Sequence, residues 1–124
     1  MAKIMVVDDS GLSRRVSRKI LEDAGHLVVD AEDGLSALER YYLEQPDVVM
    51  LDITMRGMDG IEVLRRLREL NSAARVIIVS ADVQSSTRQM TQEGGACGFV
   101  TKPIVADRIL EAVDTALQGG AACN

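Results

Sequence analysis

Five short apolar runs set the frame of this chain: Ile4–Val7, Leu27–Val29, Val48–Leu51, Val76–Val79 and Gly98–Val100, each followed by a stretch of helical length. An unbroken apolar run of four or so residues suits a strand buried on both faces, because alternation would mark a face left to water. Such strands alternating with helices predict an α/β fold, (βα)5, with a parallel five-stranded sheet, helices on both faces and right-handed crossovers. At 124 residues there is room for one core. The domain is expected over residues 1–118 and a flexible C-terminal tail over 119–124.

The helical stretches carry recognisable limits. Ser10 or Ser13 caps a first helix bearing Leu12, Val16 and Ile20, with Leu21 alongside, and Gly25 stops it. Asp33-Gly34 turns into a second helix with Leu35, Leu38 and Tyr42 on one face, and Pro46 sets up the central strand. Gly57-Met58-Asp59-Gly60 is loop and helix-start material before a third helix striped by Ile61, Leu64, Leu67 and Leu70. The fourth, Gln84 to Glu93, has only Met90 as a large apolar side chain, which predicts weak anchoring. Gly94 and Gly95 precede the last strand, and Pro103 opens a final helix with Ile109, Leu110, Val113 and Leu117 facing inward.

A net charge of -5 disfavours nucleic acid or a membrane surface as partner, since both require clustered cations. Arg14, Arg15, Arg18 and Lys19 do cluster, as a solvated helix face or a docking surface. Cys97 and Cys123 form no Cys-x-x-Cys pair, which together with the lack of a signal peptide points to reduced thiols and a cytoplasmic protein. His26, in a turn, reads as a surface residue, not a ligand.

The chemistry gathers at the strand ends. Asp8-Asp9 closes the first strand, Asp52 the third, Ser80 the fourth and Lys102 the fifth. In a parallel sheet these ends share one edge, where open α/β folds bind ligands. Three carboxylates held together repel and raise one another's pKa unless a cation neutralises them, and an all-oxygen cluster suits Mg²⁺. The metal also neutralises an incoming phosphoryl group, so that one carboxylate can attack phosphorus. Lys102 and the Ser80 hydroxyl would take the remaining phosphoryl oxygens.

With these residues the chain resembles the receiver domain of two-component response regulators, from Lys3 to about Leu117. Asp8-Asp9 matches the acidic pair, Asp52 the phosphoacceptor, Ser80 the hydroxyl and Thr101-Lys102-Pro103 the lysine-proline turn. The resemblance implies a flavodoxin-like strand order 2-1-3-4-5. It implies Mg²⁺ held by Asp9, Asp52 and the backbone carbonyl of Thr54, with Asp8 close by. A histidine kinase or phosphotransfer protein would supply the phosphoryl group, and small donors such as acetyl phosphate often serve. Ser80 would then move toward the phosphoryl group and Phe99 turn inward, changing the face formed by the fourth helix, fifth strand and fifth helix for an unknown downstream protein. The protein would be a switch with autodephosphorylation, not an enzyme on external substrates, and a monomer or a phosphorylation-dependent dimer. A receiver cut from a longer regulator is the alternative.

The chain departs from that family pattern at Arg56, where proline is common, and at Phe99, which lacks a tyrosine hydroxyl. Thr54 and Asp82 occupy positions that, in the family, vary and tune how fast water removes the phosphoryl group. Three other functions fit less well. An aspartyl-phosphate phosphatase would need Asp-x-Asp after the first strand, where Asp8-Asp9-Ser10 stands. A nucleotide-binding domain would need a glycine-rich phosphate loop. A receiver that never takes a phosphoryl group would not need all five key residues.

Overall fold

A computed structural model describes residues 1–54, 59–81 and 84–119. Its strands are β1 (Lys3–Val7), β2 (Leu27–Ala31), β3 (Val48–Asp52), β4 (Val76–Ser80) and β5 (Gly98–Thr101). All pair in parallel, in the order β2-β1-β3-β4-β5. The helices are α1 (Gly11–Asp23), α2 (Gly34–Glu44), α3 (Gly60–Leu70), α4 (Ser85–Glu93) and α5 (Ala106–Gln118).

Side chains alternate across a strand, and the three central strands use that alternation to feed two cores. Ile4, Val6, Val48, Met50, Ile77 and Val79 pack with Leu21 of α1 and Ile109, Val113 and Ala116 of α5. Met5, Val7, Val49, Leu51, Val76 and Ile78 pack on the other side with Ala37 and Tyr41 of α2 and Val63, Leu64 and Leu67 of α3. Every residue of β3 and of β4 is buried, as unbroken apolar runs require. Buried Tyr41 keeps its hydroxyl satisfied by the Asn71 side-chain amide, 3.1 Å away.

Side-chain caps fix the helix starts beside the sheet edge. Ser10 Oγ accepts from the Ser13 N–H, Asp33 Oδ1 from Ser36 and Asp59 Oδ1 from Ile61. Gly25 follows α1 at φ +93°, in the left-handed region that glycine adopts without strain.

Several inward faces differ from those expected. In α1, Leu12 and Val16 are exposed, and Ser17 and Leu21 are buried. In α2, Leu35 and Tyr42 are exposed, while Gly34, Ala37 and Tyr41 are buried. Leu70 of α3 is exposed, and Ala116 joins Ile109 and Val113 on the buried side of α5. Small residues lie flat against the sheet here, so side-chain bulk misreports burial. Helix α5 begins three residues beyond Pro103, which instead follows Lys102 through a cis peptide. Met90 is exposed and Thr91 is the buried residue of α4, so no large apolar side chain of α4 is buried. Cys97 is disulfide-bonded, against the expected free thiol. Arg56, Gly57, Met58, Asp82, Cys123 and the tail from 120 onward lie outside the described residues.

Candidate functional site

Strand pairing brings the predicted residues to one edge. Asp52 is the last residue of β3 and Ser80 the last of β4, and both are buried, at 3% and 0% exposure. Asp8 follows β1, buried at 4%, with its N–H donating to the Ala31 carbonyl at the end of β2. Lys102 follows β5, and its N–H donates to the Ser80 carbonyl at 2.9 Å. Each side chain is therefore tied by backbone hydrogen bonds to the neighbouring strand.

The geometry centres on the lysine. Lys102 Nζ donates to Asp52 Oδ2 at 2.8 Å and to Asp8 Oδ2 at 3.2 Å, from a side chain 22% exposed. Asp52 Oδ1 accepts from the Thr54 N–H at 2.8 Å and from Thr54 Oγ1 at 2.7 Å. Asp8 Oδ1 accepts from the Ser10 N–H at 2.9 Å. Asp9 is exposed, yet Asp8, Asp9 and Asp52 each offer a carboxylate oxygen within 4.8 Å of the others. This all-oxygen set fits a hard divalent cation that keeps some of its waters.

The acids do not titrate alike. Burial pushes Asp8 upward and the Asp52 charge adds to it, outweighing the Ser10 N–H and Lys102. Burial pushes Asp52 upward too, but the Lys102 hydrogen bond and both Thr54 donors bring it below the usual carboxylate range. The difference lies first in the shorter Lys102 bond to Asp52, 2.8 Å against 3.2 Å to Asp8, and then in the two Thr54 donors to Asp52. Burial would lower Lys102, but its bonds and charge pairing with Asp52 and Asp8 hold it above the ordinary lysine value. At neutral pH the edge therefore carries an ionised Asp52 locked to an ammonium.

Residues 4–114 match the family described as the response regulator receiver domain. The chain belongs to this family. The receiver is 40% identical over 116 residues to the chemotaxis protein CheY of Bacillus subtilis, covering 93% of this chain and 97% of that one. Among solved structures it superposes on CheY4 of Vibrio cholerae with a TM-score of 0.90 at 28% identity, over 94% of this chain and 99% of that one. It also superposes on a chain from the CheX–CheY–BeF3–Mg²⁺ complex of Borrelia burgdorferi, with a TM-score of 0.86 at 33% identity, over 90% and 85% of the two chains. The receiver is thus a CheY-like domain of two-component signalling with the strand order expected of it.

Phe99 of this receiver is half-buried, packed against the α2–α3 core, and Arg88 of α4 sits 5.0 Å from its ring centroid. That cation–π contact ties the least anchored helix to β5. Sequence reasoning named Thr54 for its carbonyl and missed its two donors to Asp52. It also left Arg14 in a basic helix face, whereas Arg14 Nη1 donates at 2.7 Å to the Asp8 carbonyl. His26 accepts the Ala2 N–H on Nδ1 and takes no part in the site.

Proposed function

We propose that this receiver is a phosphorylation-activated switch in which Asp52 is the phosphoacceptor. The observation that carries the reading is the bridge from Lys102 Nζ to Asp52 and Asp8 beside a third carboxylate. Asp9, Asp52 and the Thr54 carbonyl would hold Mg²⁺, with Asp8 close by. Bound there, the ion neutralises the carboxylates and the charge on the incoming phosphoryl oxygens. An ionised Asp52 needs no base, because its lowered pKa leaves the nucleophile deprotonated. As the Asp52–phosphorus bond forms, the bond from phosphorus to the donor, a histidine kinase, phosphotransfer protein or acetyl phosphate, breaks. Lys102 then shifts from carboxylate to phosphoryl oxygen, and the Ser80 hydroxyl donates to another. Water later cleaves the acyl phosphate, so the protein is a switch and not an enzyme acting on external substrates.

The output would leave through α4, β5 and α5. Two features support this: α4 buries no large apolar side chain, and its Arg88 rests on Phe99, whose movement would disturb it. The partners are a phosphodonor protein and a downstream protein target, and the compartment is the cytoplasm, a reading supported by the likeness to CheY, since the Cys97 disulfide removes the reduced-thiol argument for it. No helix among the described residues is long and apolar enough to cross a membrane.

The test is intact-protein mass after incubation with acetyl phosphate. One phosphoryl group should be gained by the native chain with Mg²⁺, and none without Mg²⁺ or in Asp52→Asn. Gain of a phosphoryl group by Asp52→Asn would remove Asp52 from the role.

A further inference from the structure

Four basic residues lie on one side of α1, and the structure separates them. Lys19 pairs with Asp23 at the surface, and Arg18 with Glu22 and Asp30. Arg14 does something different. Its side chain folds back along the first turn of α1, the direction long helical side chains favour. Nη1 donates at 2.7 Å to the backbone carbonyl of Asp8. Nε stands 4.0 Å from Asp30 Oδ2 in β2, an oxygen that Arg18 also grips at 3.3 Å. Nη2 lies so close over Gly11 that a Cβ there would touch it at 3.7 Å. With only 21% of its side chain exposed, Arg14 is wedged between the ends of β1 and β2 and the start of α1.

The carbonyl it holds belongs to the peptide joining Asp8 to Asp9. Turning that peptide about its flanking bonds would swing Asp9, the most exposed member of the acid cluster, relative to Asp8. The Asp8 end is already fixed by its N–H on the Ala31 carbonyl and by the Ser10 N–H on its carboxylate. Arg14 adds a restraint on the carbonyl itself through a charge-assisted bond, the stronger kind of hydrogen bond.

We propose that Arg14 is a positioning residue for the divalent cation: it fixes the Asp8–Asp9 peptide so that both carboxylates are presented to the metal without rearrangement. The inference rests on the reading of Asp8, Asp9 and Asp52 as a Mg²⁺ site. It makes a prediction opposite in sign to simple electrostatics. Removing a nearby positive charge should, through the Coulomb term alone, tighten binding of a cation. Removing a positioning group should weaken it, and groups that orient metal ligands typically contribute tenfold or more in affinity.

Isothermal titration with Mg²⁺ at fixed ionic strength, on the native chain, Arg14→Lys and Arg14→Met, separates the two. We expect about a tenfold rise in Kd for Arg14→Met and a smaller rise for Arg14→Lys, which keeps the charge but not the fork. Phosphorylation by acetyl phosphate should fall in Arg14→Met at low Mg²⁺ and recover at saturating Mg²⁺, a pattern general loss of structure would not give. Unchanged or tighter Mg²⁺ binding in Arg14→Met overturns the proposal. If that variant does not fold, Arg14→Lys decides: native affinity there overturns it, and weakened affinity with a native melting temperature supports it. Absence of Mg²⁺ binding by the native chain removes the metal site itself, and the role of Arg14 with it, whereas native binding with insensitive variants removes only the role.

Discussion

Replacing Lys102 by Met keeps most of the side-chain volume but strips two buried carboxylates of their shared counter-charge. Nζ lies 2.8 Å from Asp52 and 3.2 Å from Asp8. At an effective dielectric of about 20, each attraction is worth about 5 to 6 kcal/mol gross. The variant loses far less than the sum, because the lysine's own desolvation is relieved and Asp8, already pushed upward by burial, can take a proton. Removing one partner of a buried ion pair typically costs 3–5 kcal/mol, and the 22% exposure of Lys102 favours the lower end. A loss of about 3 kcal/mol should lower the melting temperature of a domain this size by roughly 10 °C. The sign of the pH dependence follows. Without the ammonium, the folded-state pKa of Asp8, already raised, rises further and that of Asp52 is no longer held down, so the deficit is absent at low pH and grows as pH climbs through the carboxylate range. Scanning calorimetry in chelator, between pH 3 and 8, should show native and variant curves converging in acid and separating near neutrality. Added Mg²⁺ should narrow the neutral gap by supplying the missing charge. A gap that ignores both pH and Mg²⁺ would mean that Lys102 acts through packing, and the electrostatic account of the site would fall.

Two further perturbations test how the edge is built. A Cβ at Gly60 would collide with the Ile53 backbone and lie 2.7 Å from its Cβ, so Gly60→Ala should lose about 2 kcal/mol in urea unfolding despite alanine's better helix propensity; unchanged stability would show that α3 does not approach the acid loop so closely. Asp33→Ala should lose about 1 kcal/mol at neutral pH, because Asp33 caps α2 and the Ser36 N–H holds its pKa low; a lowered pKa stabilises above the unfolded value and is lost as pH falls through the folded one, so the difference should vanish in strong acid.

The strands and the residues at their ends were legible because each depends on local pattern. Four buried apolar residues followed by Asp52 read the same alone or in the sheet. Helix facing was less legible, because which side meets the sheet depends on how closely the helix approaches. Ser17 and Ala37 are buried where Val16 and Leu35 look the better candidates, since a small side chain permits close approach and a large one does not. The grip of Arg14 on Asp8 could have been found from the back-pointing direction of helical side chains. The Thr54 donors to Asp52 could not, because they depend on the turn taken after β3.

The alternation that sends odd and even residues of β1, β3 and β4 to opposite cores has an evolutionary consequence. Parity links the acid-bearing edge to the interior: deleting a single residue within β3 would send the side chains on one side of the deletion to the opposite core and shift Asp52 along the sheet in the same stroke. Substitutions can alter this edge one property at a time, but length changes inside the central strands cannot. Lineages descending from such a chain are therefore expected to vary in length at helix ends and outer loops, and to inherit the distance between the start of each central strand and its terminal acid or hydroxyl as a fixed count.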